Sequence, residues 1–367
     1  MSPRVAKIEF EIEHMDPLGQ GVSRAGKTVT FIAGTLPGET GEAVVFKKSK
    51  GVQFARLESL EKSAANRCEP SCPHFQQCPG CQYLHTDYSS ELQYKKSALA
   101  RHLSPLGIAE DSIELVSAPR RLAYRNRVQL HYRHKYIGML DPVSNQVVEI
   151  PDCQILRQEL QPAFDALYRD KSWTKEHTGH GHCELYVRDG DVSEQWNSDY
   201  SHGGFSQVYE EMNGQLQARV QTQLGGLSAS SVLDLFSGRG NLSNEFSSAG
   251  GDRVLVDSHW GGDTQPPEYF IKLDLYGEDA LKLFLRRTRK KTFDTLLVDP
   301  PRRGFPDLNN WVKKIKPKHL LYVSCNPASL ARDLRSLSSK FRIGEVQLLD
   351  LFPATYHFET LVLLHFR

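Results

Sequence analysis

The sequence predicts an α/β protein in which a Rossmann-like sheet domain follows an N-terminal β-barrel of the OB type and a small central β domain. Three observations carry this reading. From about residue 230, apolar strands alternate with helical segments, the pattern of a parallel α/β sheet. The first sixty residues run instead as short alternating strands between turn signals, as in IEFEIE and EAVVFKK. Between the two lies the cysteine-dense segment CEPSCPHFQQCPGC.

A chain of 367 residues is long enough for two or three domains. The expected boundaries are 1–62, 63–200 and 201–367, with a helical stretch at about 86–118 packing on the last. Hydrophobic residues at 39% and charged residues at 24% exclude disordered, collagenous and coiled-coil classes. No apolar run approaches the roughly 20 residues of a membrane span, and the start lacks a signal-peptide core. A monomeric cytoplasmic protein without membrane contact is expected. The net charge of +1 conceals segregation: 12 Lys/Arg stand against 3 Asp/Glu between Leu281 and Lys318, and 9 against 3 between Lys95 and Lys135. Such runs suit a polyanion-binding face, and equally two solvated helix faces.

In chain order, the barrel strands are followed by the cysteine segment and a helix from about Ser89 to Leu103. YRNRVQLHYR (124–133) alternates like a strand, and YIGML and QVVEIPDCQI extend a meander to Cys153. HTGHGHC (177–183) reads as a mobile, glycine-rich loop with solvated histidines. In the last third, SVLDLF, RVLVD, EYFIKLD, DTLLVD and HLLYVS are strands. Helices are expected from Asn241, near 278–287, at 308–315 and at 328–337, and VQLLDLF with ETLVLLHF forms a closing hairpin.

Chemistry-bearing residues cluster at strand ends. In LDLFSGRGN (233–241), Gly238 and Gly240 let the backbone approach a ligand between a strand and a helix. Asp257 ends the next strand, where an acid can hold the ribose of an adenosine-type cofactor. No third glycine follows, which argues against a dinucleotide and for S-adenosylmethionine. DPPRRG (299–304) is a stiff turn after a strand that stops at Asp299. In SCNP, Cys325 ends a strand before a proline-opened helix, where a depressed thiol pKa is expected of a nucleophile. Glu359 opens the last strand as a candidate base.

Seven cysteines, an odd count, argue against a disulfide scaffold. A zinc site would use Cys68, Cys72, Cys78 and Cys81. An iron–sulfur cluster could use Cys72, Cys78 and Cys81 with a distant fourth thiolate.

DLFSGRGN, LLVDPPRRG, YVSCNPASLARDL and LFPATYHFETLVLL, in this order, resemble the motifs of the RNA uracil-5-methyltransferase (m5U) family. FSQVYEEMN (205–213) is similar to the segment before its class I methyltransferase core. CPHFQQCPGCQYLH with Cys153 resembles the iron–sulfur site of the 23S rRNA branch, and the first sixty residues resemble its TRAM domain. The resemblance implies S-adenosylmethionine-dependent methylation of uridine C5, with 23S rRNA as partner and tRNA as the alternative. It implies Cys325 as nucleophile, Glu359 as base, and Asp299 beside cofactor and target base. Gln207, Phe236, Asn241, Asp257 and Asp274 match cofactor-contact positions. Cys72, Cys78, Cys81 and Cys153 match the ligands of a [4Fe–4S] cluster, with Cys68 as an extra cysteine that keeps zinc open.

The chemistry is coherent. Thiolate addition to uracil C6 makes C5 enolate-like, methyl transfer follows, and a base removes the C5 proton so that the thiolate leaves. The target base must leave its stack. Departures from the family pattern are Ser237, Asp257 in place of Glu, Tyr209, and a short Asp257–Asp274 connection with little room for a helix. A catalytically silent RNA-binding homologue and a nicotinamide-dependent oxidoreductase are the competing readings.

Overall fold

The computed structural model describes residues 6–24, 28–188, 190–198, 207–248, 252–260, 265–289, 292–337 and 340–367. Phe205 and Ser206 of FSQVYEEMN, residues 261–264 of the short connection, and Lys290 and Lys291 of the basic run lie outside them. Two compact units emerge: residues 1–98, 119–200 and 352–357 form one, and 99–118, 201–351 and 358–367 the other.

The first unit opens with β1 (Lys7–Glu11), β2 (His14–Met15), β3 (Gln20–Ser23), β4 (Val29–Ala33), β5 (Thr40–Ser49) and β6 (Val52–Lys62), ordered β1-β5-β6-β4-β3-β2. β1 and β2 lie on one stretch of chain yet pair at opposite ends of that order, so the sheet closes on itself. Phe10, Ile12, Ile32, Ala43, Val45 and Ala55 fill its interior. The helix α1 (Tyr88–Leu103) starts where Asp87 accepts the Ser90 N–H at 2.8 Å.

Next come β7 (Ile113–Val116), which joins the second unit's sheet, then β8 (Arg127–Arg133), β9 (Tyr136–Leu140), β10 (Val147–Val148), α2 (Gln161–Arg169), β11 (His180–Arg188) and β12 (Asp191–Trp196). The five strands β10-β9-β8-β11-β12 make an antiparallel sheet. This corrects the loop reading of HTGHGHC. His180–Cys183 begin β11, His182 bonds the Ser198 carbonyl at 2.6 Å, and His177 stacks on Trp196 at 4.1 Å. Register with β8 overrides the local glycine signal.

The second unit adds α3 (Glu210–Gly226), β13 (Ser231–Leu235), α4 (Asn244–Ser248), β14 (Asp252–Asp257), β15 (Phe270–Lys272), α5 (Ala280–Arg287), β16 (Thr295–Val298), α6 (Leu308–Ile315), β17 (His319–Ser324), α7 (Pro327–Leu337), β18 (Phe341–Leu349) and β19 (Glu359–Phe366). Its mixed sheet runs β15-β14-β13-β16-β17-β19-β18-β7, with β19 antiparallel to both neighbours. The strands are nearly continuous apolar runs because helices cover both faces. Among the described residues no helix links β14 to β15; the twelve intervening residues are about the minimum for a parallel crossover.

Candidate active site

Strand order reverses at β13, which has β14 on one side and β16 on the other. In open α/β sheets, ligands bind beyond the carboxyl ends of the strands at such a point. There Phe236 leaves β13 with φ +61, a left-handed conformation costing a non-glycine residue about 1–2 kcal/mol. Its ring lies 5.0 Å from Phe305 and 5.3 Å from Tyr276. Gly238 has φ +52 and open space where a Cβ would project, so the backbone is accessible to a ligand. Asp257, at the end of β14, accepts the Gly238 N–H at 2.9 Å and the His259 N–H at 3.0 Å. It braces the glycine loop.

Asn241 does something else. It exchanges side-chain hydrogen bonds with Asn213 at 3.1 and 2.9 Å and accepts Gln217 at 2.9 Å, tying the loop to α3. Asp274 is exposed and accepts the Tyr276 N–H at 3.0 Å, while Gln207 is half-buried just ahead of α3.

Sequence reasoning passed over Asp234. It lies buried within β13, accepts the Ser243 hydroxyl at 2.5 Å, and is pushed up to about 7 by burial, with Asp299 and Asp257 adding to the shift. The only sequence signal was an acid inside an apolar run.

At the end of β16, Asp299 donates its N–H to the Leu235 carbonyl at 3.3 Å, and burial pushes its carboxyl up to about 7. The turn that follows is held from α7. Asn326 Nδ2 donates to the Arg302 carbonyl at 3.0 Å and Arg332 to the Arg303 carbonyl at 2.7 Å. Asp333, almost fully buried, accepts the Phe305 N–H and the Tyr322 hydroxyl, both at 2.6 Å. Asn326 also caps α7, accepting from Ala328 at 3.0 Å and Ser329 at 3.3 Å.

Ser324 and Thr360 are register partners between β17 and β19, which puts Cys325 beside Glu359. Cys325 is partly exposed. Its thiol is pushed up to about 12, first by burial and then by the negative charges of Glu359 and Asp299, while Arg302 opposes. The expected depression at the helix N-terminus is therefore corrected: Asn326 takes the first free amides of α7, and two carboxylates face the sulfur. Glu359 is buried, its Oε2 lacks a hydrogen-bond partner among the described residues, and burial with Asp299 holds it well above the usual carboxylate range. Cys325, Glu359 and Asp299 thus form one electrostatic group, joined by Arg302, a residue the sequence reading did not single out. A soft nucleophile, a carboxyl able to hold or take a proton, and a cation stand together at the sheet's carboxyl edge.

In the first unit, Cys72, Cys78, Cys81 and Cys153 line one largely apolar cavity, together with Leu84 and Arg125. Burial raises Cys78 to about 11, and the charges of Cys153 and Cys72 add to it; Cys81 and Cys153 shift the same way, with Arg125 opposing. Four thiols lining one cavity are a donor set suited to a thiolate-binding cation. Among the described residues, however, no three His, Cys, Asp or Glu side chains converge as metal ligands. Cys68 is exposed and points its sulfur at the Leu84 carbonyl, 3.8 Å away, outside the cavity lining.

Residues 284–367 match the profile of the tRNA (uracil-5-)-methyltransferase family. The chain is 28% identical to a 23S rRNA (uracil(1939)-C(5))-methyltransferase RlmD of Shewanella frigidimarina, covering 98% of this chain and 95% of that protein. The same enzyme of Shewanella baltica is 27% identical with the same coverage. The crystal structure of the Pyrococcus abyssi tRNA (uracil-54, C5)-methyltransferase, in complex with S-adenosyl-L-homocysteine, shares the fold at 20% identity. Its TM-score is 0.68, covering 97% of this chain and 100% of that one. Motif match, full-length relatives and shared fold all liken the chain to RNA uracil-C5-methyltransferases.

Proposed function

We propose that this protein is an S-adenosylmethionine-dependent methyltransferase that methylates C5 of a uridine in 23S rRNA through a covalent adduct. The observation that supports it most is the grouping of Cys325 with Glu359 at one strand-end pair. Uracil C5 is too poor a nucleophile to take a methyl group unaided. Cys325 sulfur adds to C6, giving C5 the electron density of an enolate. Glu359 takes the C5 proton after transfer, and expulsion of the sulfur restores the ring. S-adenosylmethionine, when bound, supplies the methyl group. The residues read as holding it are Gln207, Phe236, Gly238, Gly240, Asp257, Asp274 and Asp299, with Asn241 acting through the glycine loop. Arg302 stabilises negative charge on the sulfur or the enolate oxygen.

The chain reads as three parts, 1–62, 63–200 and 201–367. The closed sheet of the first supports an OB-type TRAM module, since the parallel β4–β6 pairing of an otherwise antiparallel barrel suits that class. The cavity cysteines Cys72, Cys78, Cys81 and Cys153 are read as holding a [4Fe–4S] cluster. Exposed Cys68, outside the cavity, counts against a four-cysteine zinc site built within 68–81. A cytoplasmic monomer accords with the rRNA substrate.

The test uses RNA carrying 5-fluorouridine, whose C5 fluorine cannot leave as a proton does. With S-adenosylmethionine the wild-type protein should form a denaturation-resistant adduct at Cys325, and Cys325→Ala should form none. An equal yield from the variant would overturn the nucleophile assignment.

A further inference from the structure

We propose that the amino edge of the second unit's sheet, opposite the catalytic edge, is a second docking surface for the RNA phosphate backbone. This rests on the RNA-methyltransferase reading and extends it to how a large substrate is held. α5 and α6 run against the strands they connect, so their C-terminal ends lie where β16 and β17 begin. Thr295 and His319, which start those strands, are register partners. The rings of Phe284 and Trp311, 5.0 Å apart, pack the two helices side by side.

Those neighbouring ends carry Arg286, Arg287, Arg289, Lys313, Lys314 and Lys316, all exposed. Across 280–298 and 308–324 the single acidic residue is Asp294, and Lys318 pairs with it at 2.8 Å. The next acid on this edge, Asp252, heads β14, separated from β16 by β13. Six of the twelve basic residues between Leu281 and Lys318 are thus gathered into one patch.

Helix electrostatics account for only part of this. A cation in the last turn complements the dipole by about 0.3–1 kcal/mol, which explains Arg286, Arg287, Lys313 and Lys314. It does not call for Arg289, or for Lys316, whose φ of +54 occupies the capping position that favours glycine. Uncompensated charge beyond the helix ends, in a protein that binds RNA, matches a phosphate backbone.

Position makes the surface specific. β17 spans six residues, about 20 Å at 3.3 Å per residue, between this edge and Cys325. RNA bound here is not the loop that carries the target uridine but a separate part of the same molecule. A short stem-loop should not reach it.

The experiment compares wild type with the variant Arg286→Gln, Arg289→Gln, Lys313→Gln, Lys314→Gln. Equilibrium binding is measured against salt for a long 23S rRNA fragment and for a minimal stem-loop bearing the target uridine. For the long fragment, the slope of log K against log salt should flatten by about 3, at about 0.7–0.9 per lost phosphate contact. Stem-loop binding and its kcat should stay within about twofold. An unchanged slope, or an equal loss for both RNAs, would overturn the proposal. Should the quadruple variant melt, Arg286→Gln with Lys313→Gln carries the same test at about half the slope change. Wild-type methylation of the stem-loop tests the underlying reading separately, because it does not involve this surface.

Discussion

Cys325 should be a slow nucleophile until RNA arrives. With the thiol at about 12, about one molecule in 10⁴ carries a thiolate at pH 8, against about a quarter for a free cysteine near 8.5. That is a deficit of about 2,400-fold. Higher basicity recovers part of it: a Brønsted slope of about 0.4–0.5 over about 3.5 units makes the thiolate about 40-fold more reactive. The net expectation is alkylation about 60-fold slower than a free cysteine peptide in the same tube. Because the raised pKa leaves the thiol protonated through neutral pH, the rate should climb about tenfold per pH unit up to pH 10. Arg302→Gln should slow it further, since that guanidinium pulls the thiol down. Iodoacetamide pulses between pH 7 and 10, with mass-spectrometric quantification of the Cys325 peptide, measure this. A plateau below pH 9 would refute the electrostatic account and restore a depressed, helix-activated thiol.

Three further outcomes are expected. In Gly304→Ala, the new Cβ would stand 2.5 Å from Asp333 Oδ2 and 2.6 Å from an Arg332 nitrogen, at φ +72. Left-handed strain of about 1–2 kcal/mol plus overpacking of about 1–3 kcal/mol should cost about 2–5 kcal/mol in chemical denaturation, and a loss below about 0.5 would contradict it. Asp234 and Asp299 both sit at about 7, so both gain charge as pH rises through neutrality. If cation binding requires one of them ionised, affinity for S-adenosylmethionine should weaken about tenfold from pH 8 to pH 6 by calorimetry, and a flat profile counts against it. Finally, Cys153→Ser should abolish absorbance near ~400 nm in anaerobically purified protein, whereas Cys68→Ser should keep it. Loss in the Cys68 variant would instead make Cys68 a ligand of the cluster.

Much of the catalytic half is legible along the chain. Several of its strands are short apolar runs bounded by a polar residue, and α4 and α7 start at Asn or Pro, so Asp257, Asp299, Cys325 and Glu359 announce themselves at strand boundaries. The α3 helix did not, because its apolar positions Met212, Leu216, Val220 and Leu224 are spaced among many polar residues. Strand β7 escaped notice for another reason: four residues far from the sheet in sequence join it beside β18 only through parallel pairing. HTGHGHC was misread because glycines at 179 and 181 look like a loop until β8 supplies their register.

Local chemistry, then, determined which residue types stand where a strand stops, since backbone preference and side-chain periodicity act over a few neighbours. Tertiary structure decided what those residues do to one another. The antiparallel return of β19 sets Glu359 against Cys325, and the fold of the loop after Asp299 adds Arg302 to them. Burial raises the thiol first, and the charges that add to it come from residues 26 and 34 positions away; both burial and Coulomb interactions depend on what lies nearby in space, which no reading of adjacent residues contains.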